Sequence, residues 1–293
     1  MRYYCILCCL CLPILALFVS FETRAAPFCF TAPSLEQKSS LTVGSDPTVL
    51  MSAGPQHAHR LLHLQMPVGE IERARAQQVV KGSLSAQEAQ IWGQGDTLDR
   101  YQRSLIHLVD QDVWLQKAWV GEGIFRVLPG MASSQELVCL GELYRAEMDA
   151  VQGQRGLWSD SKNAVLSAHD VAELENHIAE FVLVEGSVRA VGKGGGRHFI
   201  NFGEDWRADF TIVVPQPVLN DWPRDLQHPQ FLQDRALSSL VGQRVRVRGW
   251  MTSYRGPEIL VDDLSQIEIL DPIPSPLKGA VTPSLKGRAE DLP

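Results

Sequence analysis

The tract Asp99-Arg100-Tyr101-Gln102-Arg103-Ser104-Leu105 carries the residue types best suited to chemistry on an anion. An arginine held beside an acidic-aromatic turn presents a planar fork of N–H donors that can grip a phosphate through two bonds at once. A second basic tract, Arg244-Val245-Arg246-Val247-Arg248-Gly249-Trp250, alternates with the two-residue period of a strand. Its valines would fill a core and its arginines would project together from one sheet face. With Lys193, Arg197, Trp206, Arg207, Trp250, Tyr254 and Arg255, these arginines have the make-up of a groove that holds single-stranded nucleic acid by charge and base stacking. The plainer expectation is that Trp206 and Trp250 are core residues and that the arginines form a solvated face paired with Glu204, Asp205 and Asp209. His57, His59 and His63 offer imidazoles, and His59 and His63 would share one face of a continuous strand. No carboxylate in that tract completes a metal site, so ordinary surface or core histidines are expected. Gly192-Lys193-Gly194-Gly195-Gly196-Arg197 lacks the Gly-Lys-Ser/Thr ending of a phosphate loop and joins two strands, so a hairpin is expected.

The elements that must position these groups follow from periodicity. Leu41 to Met51 and His59 to Leu64 read as strands, Val68 to Lys81 as a helix, and Ala89 to Trp92 as a short strand. Leu105 to Val109 is a half-buried strand. Val113 to Val120 has apolar residues at helical spacing and is closed by Gly121 and Gly123, and a further helix runs from Gln135 to Gly153. Beyond a connecting segment at 161–177, with a helix around Val171 to Glu175, strands recur at Phe181–Val191, His198–Phe202, Phe210–Val214, Arg244–Met251, Glu258–Val261 and Ile267–Leu270. Short strands at this spacing suit a small antiparallel barrel, with one helix expected around Phe231 to Leu240.

Asp99-x-Tyr101-x-Arg103-x-Leu105, the strand and two helices after it, and Gly156-Leu157-Trp158 together resemble the second half of the staphylococcal-nuclease-like (thermonuclease) family. That half of the family opens with Asp-x-Tyr-Gly-Arg-x-Leu and ends in Gly-x-Trp. The resemblance covers residues 40–160. It implies a phosphodiester hydrolase with a calcium ion, a general base and two arginines. Arg60-Leu61-Leu62-His63-Leu64-Gln65-Met66-Pro67-Val68 stands where the family has Arg-Leu-x-x-x-Asp-Thr/Ala-Pro-Glu. Arg60 and Arg103 therefore match the family's two catalytic arginines. Gln65 replaces a calcium-binding Asp, and Val68 replaces the base. Asp46 in Gly44-Ser45-Asp46-Pro47-Thr48 is the candidate for a remaining metal ligand, although Asp-Pro is also a turn initiator. Glu70 is a candidate substitute base, although a carboxylate is also favoured in the first turn of a helix. Arg60 and Arg103 either bind an anionic group or simply pair with Asp99, Glu70 or Asp96. The tract Ile200 to Thr211, followed by Arg248-Gly249-Trp250, resembles the C-terminal domain often found behind nuclease-like domains in secreted bacterial proteins.

Net charge is −7, which argues against sequence-independent attraction of the whole chain to nucleic acid. Met1-Arg2, the apolar run Cys5 to Phe21 and the small residues at Ala25-Ala26 read as a signal peptide over 1–26, so an exported protein, periplasmic or secreted, is expected. Of the six cysteines only Cys29 and Cys139 lie beyond that leader; in an oxidising compartment they could pair, or Cys139 could be a small buried residue and Cys29 a free thiol. The expected fold class is mainly β with α. A linker at 27–40 leads to a thermonuclease-like barrel carrying helices at 41–160, the connecting segment at 161–177, an OB-like barrel at 178–270 and a disordered tail at 271–293. Three functions fit these residues. The first is a catalytically impaired exported protein that binds a polyanion, such as single-stranded nucleic acid, or an envelope partner. In this reading Arg244, Arg246, Arg248 and Trp250 are candidate nucleic-acid contacts, and no cofactor is needed. The second is an active calcium-dependent nuclease with a rearranged acidic site. The third is a structural or assembly protein of the envelope.

Overall fold

The computed structural model describes residues 29–30, 41–52, 58–85, 90–130, 134–223, 226, 228–233 and 235–270. The leader, most of the 27–40 linker, His57 and the 271–293 tail lie outside the described residues. The architecture is mixed, with helices set on two β-sheets that dominate it. Strands β1 (Leu41–Val43), β2 (Val49–Ser52) and β3 (Ala58–Leu61) form an antiparallel meander. After the short β4 (Leu64–Gln65), helix α1 (Glu70–Ser85) carries the chain to the far edge, where β5 (Gln90–Leu98) lies antiparallel to β6 (Ser104–Asp110). Strand β6 inserts beside β3 in parallel, and β7 (Val113–Trp114) folds back on it.

Helix α2 (Leu115–Gly121), β8 (Arg126–Val127) and the long helix α3 (Ser134–Gln152) follow, with β8 paired to β4. Between α2 and the chain after α3 the backbones touch. Gly123 and Gly156 both have positive φ, and a Cβ at Gly156 would sit 2.2 Å from the Gly123 carbonyl oxygen. That contact sets the Gly156-Leu157-Trp158 turn, whose Trp158 is buried. The connecting segment contains β9 (Leu166–Ser167), parallel to the next strand, as well as α4 (Val171–Glu175), so it is not a helix alone.

The second sheet is built from β10 (Phe181–Ser187), β11 (Ala190–Gly194), β12 (Arg197–Asn201), β13 (Thr211–Pro215), β14 (Arg244–Ser253), β15 (Pro257–Leu260) and β16 (Ile267–Ile269). Its order is β11-β12-β13-β15-β14-β10-β9, with β16 on β14. Both sheets share a path: a meander, a parallel pairing of its last strand with a later strand (β3 with β6, β13 with β15), and a helix-bearing crossover to the strand between them in sequence. Among the described residues the α-helix expected at 231–240 is absent. Phe231, Leu232, Leu237 and Leu240 are instead buried from irregular chain and a 3-10 turn at Leu237–Leu240. The crossover helix is α5 (Gln216–Asp221), started by a proline in its first turn, where a missing N–H costs nothing.

Helix α3 lies where the sheets meet. Leu137, Leu140, Leu143, Tyr144, Glu147 and Ala150 are all fully buried, leaving a narrow exposed stripe at Val138, Arg145 and Asp149. One hydrophobic core runs from Leu50, Ile106 and Phe125 through Leu140 to Ile212, Val247 and Ile259. The valines of β14 face this core as the alternation predicts. Arg246 and Arg248 do not face solvent, which corrects the expectation of a basic surface. Arg246 stands opposite Glu185 on β10 and Glu268 on β16, and is ion-paired to both. Arg248 is fully buried against Glu147 of α3, lies 3.4 Å from Glu268 and stacks 3.7 Å from the centroid of Tyr144. Arg244 alone reaches the surface, paired to Glu185 at 2.8 Å. Three carboxylates thus match three guanidiniums. Burial disfavours the Arg248 charge, but Glu147, Tyr144 and Glu268 together outweigh it and raise the pKa. Removing one partner of a buried pair strands the other charge, at a cost of about 3–5 kcal/mol. Glu147→Ala is therefore expected to lower unfolding free energy by about that much in urea titration, and a loss below about 1 kcal/mol would show that the pair is not holding the sheets together.

Candidate functional site

An open cleft of about 610 Å³ lies on the first sheet, lined by Asp46, Arg60, Gln65, Met66, Leu98, Asp99, Arg100, Tyr101 and Arg103. Arg60 reaches it from β3. Its guanidinium donates to Thr48 Oγ1, to the Leu64 carbonyl oxygen at 3.0 Å and to Asp46 Oδ2 at 3.4 Å. Asp46 also accepts from the Thr48 amide at 2.8 Å and its hydroxyl at 2.5 Å, so it both initiates the turn and faces the cleft. Burial lowers the Arg60 pKa; Asp46 opposes the shift and the charge of Arg103 adds to it, so the two arginines feel one another across the cleft.

Arg103 comes from the turn between β5 and β6. Asp99 Oδ1 accepts the amides of Tyr101 and Arg103 at 2.8 and 3.0 Å, and Oδ2 accepts from Arg103 Nε at 2.7 Å. Desolvation opposes the Asp99 charge, but the bonds from Arg103 and the backbone prevail and its pKa is lowered. The sign follows: the folded value lies below the unfolded one, so this contribution is full above roughly pH 4 and is lost as pH falls through the folded value. The guanidiniums of Arg100 and Arg103 each lie 4.8 Å from the centroid of Tyr101, which is 61% exposed. Here is a ring with cations on it, open to a stacking ligand. Arg100 and Tyr101 are the site members that sequence reading left without a role; an arginine directly before and two residues after an exposed aromatic was the available signal.

Calcium does not fit the residues present. Such an ion needs six to eight oxygen ligands, several of them carboxylates, by rough count. Asp46 and Asp99 are the cleft's carboxylates, and both are engaged by arginines and backbone amides. Gln65 is buried with its amide nitrogen donating to the Met66 carbonyl at 3.2 Å. Val68 is exposed and lines a separate, largely apolar cavity of about 290 Å³ shared with Arg126, Leu157 and Phe181. Glu70 is exposed at the start of α1 and is not among the cleft residues.

The remaining candidates are placed as follows. Trp206 and Trp250 are about half exposed rather than core, at 52% and 48%, because Trp206 lies in a loop and Trp250 points off β14 away from the valines. Trp250 packs edge-on to Phe181, and Arg207 lies 4.4 Å over Trp206. Cys29 and Cys139 are joined by a disulfide, across 110 residues of chain. His59 and His63 do not share a strand face: β3 ends at Leu61, and a turn with His63 at φ 61° swings its ring elsewhere. His59 bonds Ser52 Oγ at 2.6 Å, whereas His63 meets Glu136 at 2.6 Å, a residue 73 positions away.

No family model matches the chain, and no curated protein is significantly similar to it. Gln102, which the resemblance pairs with a glycine, adopts φ 60°. A non-glycine side chain there is strained by roughly 1 kcal/mol, partly offset by glycine's greater freedom when unfolded. Gln102→Gly is expected to hold or raise the melting temperature, with a gain of up to about 1 kcal/mol. A clear drop would mean that the Gln102 side chain makes contacts worth more than the strain.

Proposed function

We propose that the chain is an exported, thermonuclease-like protein that binds a polyanion without cutting it, its two barrel units being OB-like. The shared path of the two sheets supports the fold reading, because a five-stranded barrel with a crossover helix is wired this way. The observation that carries the functional reading is the convergence of Arg60 and Arg103 on a cleft whose two carboxylates are already committed to them. Two guanidiniums and a cation-flanked tyrosine suit a phosphate and its neighbouring base. Hydrolysis would need a base and a charge-stabilising metal. General-base help is worth about 10²–10⁴-fold in rate. Gln65 and Val68 supply neither. Single-stranded nucleic acid is the ligand class that uses both features of the cleft; an envelope protein bearing an acidic segment would use the arginines alone.

The test is a digestion assay on DNA and RNA with and without calcium, beside Gln65→Asp/Val68→Glu. We expect background rates from the wild type with or without calcium, and at most a partial gain from the double variant, because Val68 lies outside the cleft. Calcium-stimulated cleavage by the wild type that Arg103→Ala abolishes would overturn the reading and show that another carboxylate has taken over.

A further inference from the structure

Away from the cleft, three polar side chains from three elements meet inside the core. His63 comes from the turn after β3, His107 from β6 and Glu136 from the first turns of α3. Each is almost wholly buried, at 4%, 1% and 3% exposure. One potential ligand atom from each lies within 4.8 Å of the others. His63 Nε2 is 2.6 Å from Glu136 Oε2, and His107 Nε2 is 3.5 Å from the same oxygen.

A hydrogen-bonded pair accounts for His63 and Glu136, but not for His107. Among the described residues neither of its ring nitrogens has a hydrogen-bond partner, although the ring is sealed from water. An imidazole always carries at least one N–H donor, and interiors rarely bury such a group unpaired. Phe30 stacks on its face, with centroids 4.5 Å apart and planes 12° from parallel, so the ring is held rigidly. Trp114, its ring 5.2 Å from that of His107, has a buried Nε1–H that likewise lacks an acceptor among the described residues.

We propose that His63, His107 and Glu136 form a buried site for one divalent transition-metal ion, zinc by ligand type, which ties the turn after β3, strand β6 and helix α3 together. Two imidazoles and one carboxylate are a recurrent zinc set, with a water in the fourth position. Tetrahedral ligands about 2.0–2.2 Å from zinc stand roughly 3.3 Å apart. The 3.5 Å separation of His107 and Glu136 already meets this, and His63 needs to retreat from Glu136 by well under 1 Å. Burial keeps substrates out, so the ion's role is structural. The disulfide tethers Cys29, next to Phe30, to Cys139, one turn beyond Glu136, and so holds the lid of the site to the helix that supplies a ligand. The site stands independently of the cleft and its proposed polyanion.

The test is titration of the purified, chelator-stripped chain with Co²⁺, followed by visible absorption and proton NMR, and then by Zn²⁺. We expect one equivalent of Co²⁺ to give the absorption of a four-coordinate ion, with two hyperfine-shifted imidazole N–H signals, and one equivalent of Zn²⁺ to displace it. His107→Gln and Glu136→Gln should each weaken binding at least about tenfold. His59→Gln, another buried histidine but one bonded to Ser52, should leave it unchanged. Absence of a four-coordinate spectrum in the wild type, fewer than two shifted imidazole signals, or equal binding by folded His107→Gln would overturn the proposal. The wild-type signals decide the matter even where a variant fails to fold.

Discussion

The ion pair between Arg248 and Glu147 is the constraint on which the rest of the molecule leans. Both groups are fully buried, so neither can be left alone without stranding a charge. Through Arg248 the pair belongs to a sheet in which Arg246 and Glu268 continue the alternation of charge. Through Glu147 it belongs to α3, and the second oxygen of that carboxylate accepts the Val127 amide at 2.7 Å. Val127 lies on β8, which pairs with β4, where Gln65 forms part of the cleft. The Leu64 carbonyl of the same short strand holds the Arg60 guanidinium. A charge placed in the second sheet is therefore linked, bond by bond, to an arginine of the cleft.

That linkage explains why arginines that look alike in the sequence have different uses. Arg246 and Arg248 are consumed by carboxylates of neighbouring strands and of α3, while Arg60, Arg100 and Arg103 face a cleft that holds two carboxylates. An anion entering it meets more positive than negative charge, yet must compete with Asp46 and Asp99 for donors. Affinity should be modest and salt-sensitive, which suits a chain whose overall charge is −7.

Much of the fold was legible because patterns of period two and 3.6 are local. The valines of β14, the extent of α3 and the hairpin at 192–197 all follow from residues a few positions apart. What faces the other side of β14 was not legible, since Glu147 is 101 residues from Arg248. The signal that existed was subtler: Glu185 and Glu268 each sit in an apolar strand, as charges do when a neighbouring strand supplies the counter-charge. The expected helix at 231–240 failed for a different reason. Its apolar residues fill the core from irregular chain, and burial alone does not fix backbone period. At the cleft, Arg60, Arg103 and Asp46 lie together although their sequence positions are far apart, and Glu70 lies outside it. The histidine cluster escaped notice because its carboxylate and second imidazole come from distant elements.

The central claim is that Arg60 and Arg103 bind the phosphates of a single strand. It is tested most directly by the salt dependence of oligonucleotide binding, measured by fluorescence anisotropy for the wild type and for Arg60→Ala/Arg103→Ala. Each phosphate neutralised on a single strand, with release of its counterions, contributes about 0.7 to the slope of log K against log salt. The account requires the double variant to bind more weakly, with a slope shallower by about 1.4. Equal affinity and an unchanged slope would contradict it and move the binding surface elsewhere.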